Sequence, residues 1–214
     1  MKQSQRTGLA LVFSVSALAA TGWIFWLEDL RYALPTPRPE GLSGPSVGDR
    51  VALPAPIQAV GRSTENPTLL HFFNPHCPCS RFNVDHVRQL IIDHGDRVAF
   101  IAILQGSHED ELVSDFEGYG LGIPAVADPD GAIAESLGVY ASPQAVILTA
   151  EDELYYRGNY NTSRYCTAPE TQFARISLER LIAEERPPEL PEVATVSYGC
   201  QLPSYERWAA KDAP

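Results

Sequence analysis

The sequence predicts an α/β domain, a central mixed sheet with helices on both faces, behind an N-terminal transmembrane helix. Three observations carry this expectation. Apolar runs of strand length alternate with segments of helical periodicity from about residue 67 to residue 183. Glycine and proline punctuate the junctions, as at Asn74-Pro75 and Asp128-Pro129-Asp130-Gly131. Ahead of them stands a nearly uncharged run of 20 residues, Gly8 to Leu27. As a helix it would rise ~30 Å, the thickness of a bilayer core.

Taken in order, the apolar run comes first. Lys2 and Arg6 precede it and predict a cytoplasmic N-terminus, while Trp23 and Trp26 suit an interfacial belt at its far end. A cleaved signal peptide is the rival reading, with Ala17-Leu18-Ala19 as a small-residue cleavage site. The apolar run continues past that site to Leu27, which favours an uncleaved anchor. Either reading places the following domain outside the cytoplasm, in a bacterial cell as a single-pass inner-membrane protein facing the periplasm, where disulfides persist. The divisions read as an anchor over 1–28, a proline-rich linker over 29–48, a domain over 49–184 and a C-terminal tail over 185–214. The linker's four prolines predict an extended spacer; an arm packed on the domain is the other reading.

Within the domain, Arg50 to Val60 is apolar but interrupted by proline and reads as an edge strand. Pro67 to Asn74 reads as a buried strand. Phe82, Val84, Val87 and Ile91 then recur at helical spacing up to Gly95. Arg97 to Leu104 is a continuous apolar run suited to a sheet covered on both faces. Glu109 to Tyr119 and Ala132 to Leu137 predict helices, with a short strand over Pro124 to Asp128. Gln144 to Thr149 and Leu154 to Gly158 predict strands, Thr171 to Ala183 a helix, and Glu184 to Leu190 a loose link to the tail.

Composition narrows the function. Hydrophobic residues make up 44% and charged residues 20% of the chain, as in a globular protein. A net charge of -11 with no basic stripe repels phosphate backbones, so nucleic acid is a poor partner. The four cysteines, Cys77, Cys79, Cys166 and Cys200, are too few for a disulfide scaffold. They suggest a local redox or metal site with, at most, one structural bridge. Methionine occurs only at position 1, so thioether-rich copper binding is not available.

Chemistry concentrates at Asn74-Pro75-His76-Cys77-Pro78-Cys79-Ser80, between a predicted strand and a predicted helix. A cysteine at a helix start meets free N–H groups that favour the thiolate. Cys77 is therefore the expected nucleophile, and Cys79 the thiol that resolves a mixed disulfide. Two cysteines spaced C-x-C close only a small, strained ring, which is easily reduced. The sharper rival is a soft-metal site, in which Cys77, Cys79 and His76 hold Cu(I) in a metallochaperone or oxidase-assembly factor. Cys166 and Cys200 flank the last predicted helix and can be read as a structural disulfide pinning the tail. A relay in which either of them resolves Cys77 is the alternative. Asn161-Thr162-Ser163 is formally a glycosylation sequon.

Three blocks together resemble the thioredoxin-like superfamily, in particular the redoxin group with its thiol peroxidases and cytochrome-maturation thioredoxins. LLHFFNPHC is similar to the strand that delivers the first active-site cysteine. VADPDGAIAESLGVYASPQAVIL and EDELYYRG are similar, in the same order, to the strands and turns that follow it. The resemblance covers about Val51 to Ile182 and implies a thioredoxin-like fold and thiol–disulfide exchange with protein thiols, with no organic cofactor. It also implies a cis-Pro143 that, with Ser142 and His76 nearby, binds the partner's backbone. The spacing departs from the group's C-x-x-C, since Ser80 stands at the usual resolving position. That leaves open whether Cys79 resolves Cys77 or Cys77 works as a single thiol. Asn74 replaces the hydroxyl residue a peroxidase needs, which argues against peroxidase activity. His71 replaces a buried acid and is expected to pack in the core. The copper-assembly branch uses a wider cysteine spacing with a distant histidine, a role open here to His86, His94 or His108.

Overall fold

The structure is a computed structural model that describes residues 3–28, 30, 34–60, 65–106, 109–162 and 166–203. Lys2, His108, Ser163 and the tail beyond Pro203 lie outside the described residues. The chain divides into two compact units, Met1–Leu34 and Pro35–Pro214.

The first unit is helix α1, Gln3–Glu28. Its stretch from Gln5 to Leu27, 23 residues with mean hydropathy 1.8, is long and apolar enough to cross a membrane. Leu9, Phe13, Leu18 and Trp23 stand exposed on it.

The second unit is built on β1 (Thr68–Phe73), which is buried along its whole length. Both of its neighbours are long-range partners: β2 (Ala99–Leu104) pairs with it in parallel and β5 (Gln144–Leu148) antiparallel. With β3 (Ala125–Ala127) and β6 (Leu154–Gly158) they form one five-stranded mixed sheet, in the order β3-β2-β1-β5-β6. Alternation along β1 divides the core. Leu69 and Phe73 face one cluster with Val87 and Leu90 of α4 (Val84–His94), Leu112 and Phe116 of α5 (Glu109–Glu117), and Phe173 and Leu178 of α7 (Phe173–Ile182). Leu70 and Phe72 face the other, with Ile57 of α2 (Ala55–Ala59) and Ile133 of α6 (Ala132–Ser136). Each fully buried Leu or Phe contributes ~1.5–3 kcal/mol of transfer free energy. The continuous apolar run of β2 thus has its expected cause, helices over both faces. This is the thioredoxin-like arrangement that the resemblance implies.

The remaining helices follow from local chemistry. Both carboxylate oxygens of Asp128 accept backbone N–H bonds from Ile133 and Ala134, and one also accepts from Gln105. That satisfies the free donors at the start of α6, where Gly131 takes a left-handed φ of 67°.

Three local expectations need correction. Arg50 to Val60 is not an edge strand: Arg50 makes one isolated bridge to Glu153, and residues 55–59 are helical. Pro56 sits in the first turn of α2, where a missing N–H costs nothing, and Ile57 is fully buried. The helix after the cysteines is two helices, α3 (Pro78–Phe82) and α4, divided at Asn83. The break takes Phe82 out of phase with the core stripe, and it is 43% exposed. Finally, the chain after Glu184 is docked on the domain over residues 193–202. The Asn159 side-chain amide donates to the carbonyls of Val193 and Val196. Ala194, Ser197 and Leu202 are buried, and β7 (Cys200–Gln201) pairs antiparallel with β4 (Ala141–Ser142). The linker behaves similarly from Pro35 on: the Thr36 N–H donates to the Ser197 carbonyl at 2.8 Å, and the Gly48 N–H to Leu154.

Candidate functional site: a three-sulfur cluster at the strand–helix junction

Strand β1 ends at Phe73, and the next residues form a tight turn held by Asn74. Its carbonyl accepts the Cys77 N–H at 3.0 Å, and its side-chain oxygen accepts the His76 N–H at 2.9 Å. Its own N–H donates to Ser80 Oγ at 3.3 Å. Cys77 is the N-cap of α3 in extended conformation, and Pro78 opens the helix without an N–H to leave unsatisfied. Since α3 has only five residues, its macrodipole is small, and the local field on Cys77 comes from the N–H groups of that one turn.

Opposite the turn stands the Ser142–Pro143 peptide, which is cis. The Ser142 carbonyl oxygen lies 3.8 Å from Cys77 Sγ. Beside it runs β7, in the register Ser142↔Cys200 and Ala141↔Gln201. This pairing carries Cys200 onto Cys77, and the two are joined by a disulfide of 2.05 Å across 123 residues of sequence. Cys79 is buried beside the pair, and the sulfurs of Cys77, Cys79 and Cys200 all lie within 4.8 Å of one another.

The expected Cys166–Cys200 bridge is therefore not the one present, since a cysteine makes one disulfide and Cys200 spends its on Cys77. Cys166 instead donates its thiol to Asn83 Oδ1 at 3.0 Å, beneath the break between α3 and α4. Burial pushes that thiol up to about 12, so it remains protonated. The ligand set imagined for a soft metal also changes. His76 is turned to the surface, its Nε2 3.0 Å from Asp115 Oδ2. There it lines a recess of ≈ 380 Å³ with Pro75, Arg81 and Tyr119. The third candidate ligand beside Cys77 and Cys79 is Cys200. Its role as partner of Cys77 had one signal in the sequence: a C-x-C pair closes badly on itself, so its first cysteine is free to bond elsewhere.

Behind the site, His71 is fully buried and its Nδ1 lies 2.7 Å from the Tyr160 hydroxyl. Burial, helped by nearby His86, lowers the His71 pKa to about 3 and keeps the ring neutral. His86 packs edge-on against Tyr160, and burial lowers its own pKa to about 4. Both imidazoles are core groups, as expected of His71.

Residues 49–202 match the family described as a domain of unknown function, DUF6436. No curated protein matches the chain. Among solved structures, a hypothetical protein from Sinorhizobium meliloti is similar with a TM-score of 0.61 and 18% identity, over 75% of this chain and 95% of that one. An uncharacterized conserved protein from Geobacillus kaustophilus is similar with a TM-score of 0.60 and 22% identity, over 79% and 97%. The C-terminal domain of a protein named as a thiol–disulfide oxidoreductase, from Bacteroides thetaiotaomicron, follows at a TM-score of 0.51 and 11% identity, over 65% and 97%. At these identities the likeness is one of fold.

Proposed function

The chain belongs to the DUF6436 family, and from the chemistry of its own site we propose that it is a membrane-anchored, extracytoplasmic thiol–disulfide oxidoreductase that exchanges disulfides with protein partners through Cys77. The observation that carries this is the sulfur cluster: Cys77 is bonded to Cys200 with Cys79 within 4.8 Å of both. Two of its sulfurs share a bond, and a third is placed to take it over.

Exchange proceeds by thiolate attack along the sulfur–sulfur bond. A partner thiolate attacks Cys77 Sγ, the Cys77–Cys200 bond breaks, and Cys200 leaves as thiolate. If the partner's second thiol then attacks the mixed disulfide, the partner is oxidised by two electrons and Cys77 is released reduced. If Cys79 attacks instead, the partner leaves as thiol and a Cys77–Cys79 bond forms. The reverse sequence reduces a partner disulfide. Ser142 and Pro143, beside the sulfurs, would position the partner's backbone; His76, on the neighbouring surface, would meet its flank. No organic cofactor enters. Helix α1 would anchor the protein, with Lys2 and Arg6 on the cytoplasmic side. The acidic surface, at net charge -11, directs the protein away from nucleic acid.

A redox titration of the full chain in glutathione buffers, read by thiol alkylation and mass spectrometry, tests this. A reversible Cys77 disulfide with a potential between ~-270 and -120 mV is expected. An unreactive Cys77 would sink the proposal.

The sulfur cluster also favours a second reading. Reduced, Cys77, Cys79 and Cys200 offer three thiolates within 4.8 Å, a donor set suited to Cu(I). A carrier predicts tight Cu(I) binding by the reduced chain that is lost in Cys77→Ser and Cys200→Ser alike. Retention of Cu(I) by either variant would rule that cluster out as the site.

A further inference from the structure

Cys77 is the sulfur that exchange must reach, yet it is only 3% exposed. The group bonded to it belongs to the chain's own C-terminal strand, and that strand is held the way an extended peptide is held. The Ser197 carbonyl accepts from Thr36 N–H at 2.8 Å, and its N–H donates to the Tyr140 hydroxyl at 3.1 Å. The Gly199 carbonyl accepts from Thr36 Oγ1 at 3.0 Å. Cys200 and Gln201 pair with Ser142 and Ala141. Leu202 is buried in the same apolar cluster as Val139 and Ala141. Gly199 is the tightest point. Its φ is +146°, and a Cβ there would stand 2.3 Å from the Ser142 carbonyl oxygen. A strand can lie this close to the Ser142–Pro143 peptide only with glycine immediately before its cysteine.

We propose that residues 197–202 are a tethered stand-in for the partner, occupying the partner-strand site at rest. The segment they give way to is extended, with glycine directly before its reactive cysteine and an apolar residue two positions after it. This rests on the exchange reading above. Opening is an exchange without net redox change: the incoming thiolate attacks Cys77 Sγ, the Cys77–Cys200 bond breaks, and Cys200 leaves as thiolate with β7. The tether sets the balance, because a tail held on the same chain competes at high effective concentration with any free partner.

The test uses the oxidised full chain in detergent micelles and a thiol peptide copying residues 197–203. A second peptide carries alanine for the glycine, and glutathione serves as a thiol with no strand to dock. Capture as a mixed disulfide with Cys77 is followed by intact mass after acid quench. The glycine peptide should be captured about ten-fold faster than the alanine peptide, and Gly199→Ala in the chain should speed capture by a similar factor, about 1.4 kcal/mol. Thr36→Val, which removes the side-chain bond to Gly199 without touching the strand itself, should speed it by a smaller factor in the same direction. If glutathione exchanges at Cys77 but the peptides and variants all react alike, the stand-in proposal falls and the exchange reading stands. If neither glutathione nor peptide exchanges at Cys77 in any chain, the exchange reading falls and takes this proposal with it.

Discussion

Cys77 and Cys166 are both nearly sealed from solvent, at 3% and 8% exposure, and both belong to the same folded unit. Their surroundings differ in kind. Cys166 donates its thiol to the Asn83 side-chain oxygen and sits in a cluster with Tyr160 and Phe173. Burial raises its pKa to about 12, so it stays a thiol and donates one hydrogen bond. Cys77 sits where β1 turns into α3, against the Ser142 carbonyl, with two further sulfurs within 4.8 Å. Under the exchange proposal, burial alone therefore does not sort structural from reactive cysteines in this protein. What sorts them is whether another sulfur and a strand edge lie within reach.

The comparison can be broken most decisively at Cys77. Cys77→Ser should reduce exchange with protein disulfides to the uncatalysed background, and an insulin-reduction or glutathione-exchange assay reads this directly. Cys79→Ser should act differently. With Cys79 gone, only Cys200 and the partner's own second thiol are left to release a partner from Cys77, so mixed disulfides should accumulate above the wild-type level and be visible as shifted bands on non-reducing gels. Smaller and of another character is Cys166→Ala. It leaves the Asn83 side chain without its donor and should lower stability by ~1–3 kcal/mol in denaturant unfolding, with exchange at Cys77 unchanged. In the native wild-type chain, Cys166 should resist alkylation at pH 8 and react only when the domain unfolds.

A further effect concerns pH. The folded-state pKa of His71 is lowered to about 3 by burial, from an ordinary 6.5. Between those values the unfolded chain binds a proton that the folded chain refuses. Stability from this group is thus complete above pH 6.5 and declines as pH falls toward 3, by up to about 1.4 kcal/mol per pH unit. His86, lowered to about 4, adds in the same direction. Thermal melts from pH 7 to pH 4 should fall steadily, and His71→Gln should flatten part of that slope.

Much of this arrangement was legible in the residues. The largely apolar β1 and the DPDG turn before α6 are local patterns, the placement of Ser142-Pro143 is what the resemblance implies, and each element lies where it is expected. Arg50 to Val60 misled because proline in an apolar stretch suits an edge strand and a helix's first turn equally, and only the burial of Ile57 decides. Phe82 misled because the helix divides at Asn83, whose side chain accepts a hydrogen bond from Cys166, 83 residues away, a contact that no local periodicity records. The partner of Cys77 was the hardest to read. It is decided by the pairing of two-residue strands β4 and β7, too short to leave a periodicity, and by Gly199 allowing their close approach. The weakness of a C-x-C ring pointed away from a closed Cys77–Cys79 pair, but no local rule pointed to Cys200.

The central claim is that Cys77 exchanges partners within the three-sulfur cluster while Cys166 stays out. The most direct measurement is disulfide mapping of the full chain from membranes, with thiols trapped at lysis, before and after a brief pulse of reductant. The account predicts a Cys77–Cys200 bridge that the pulse opens and that re-forms afterwards, with Cys77–Cys79 as the alternative pairing and Cys166 a thiol throughout. A Cys166–Cys200 bridge, or a Cys77 bridge that the reductant leaves intact in the folded protein, would contradict it.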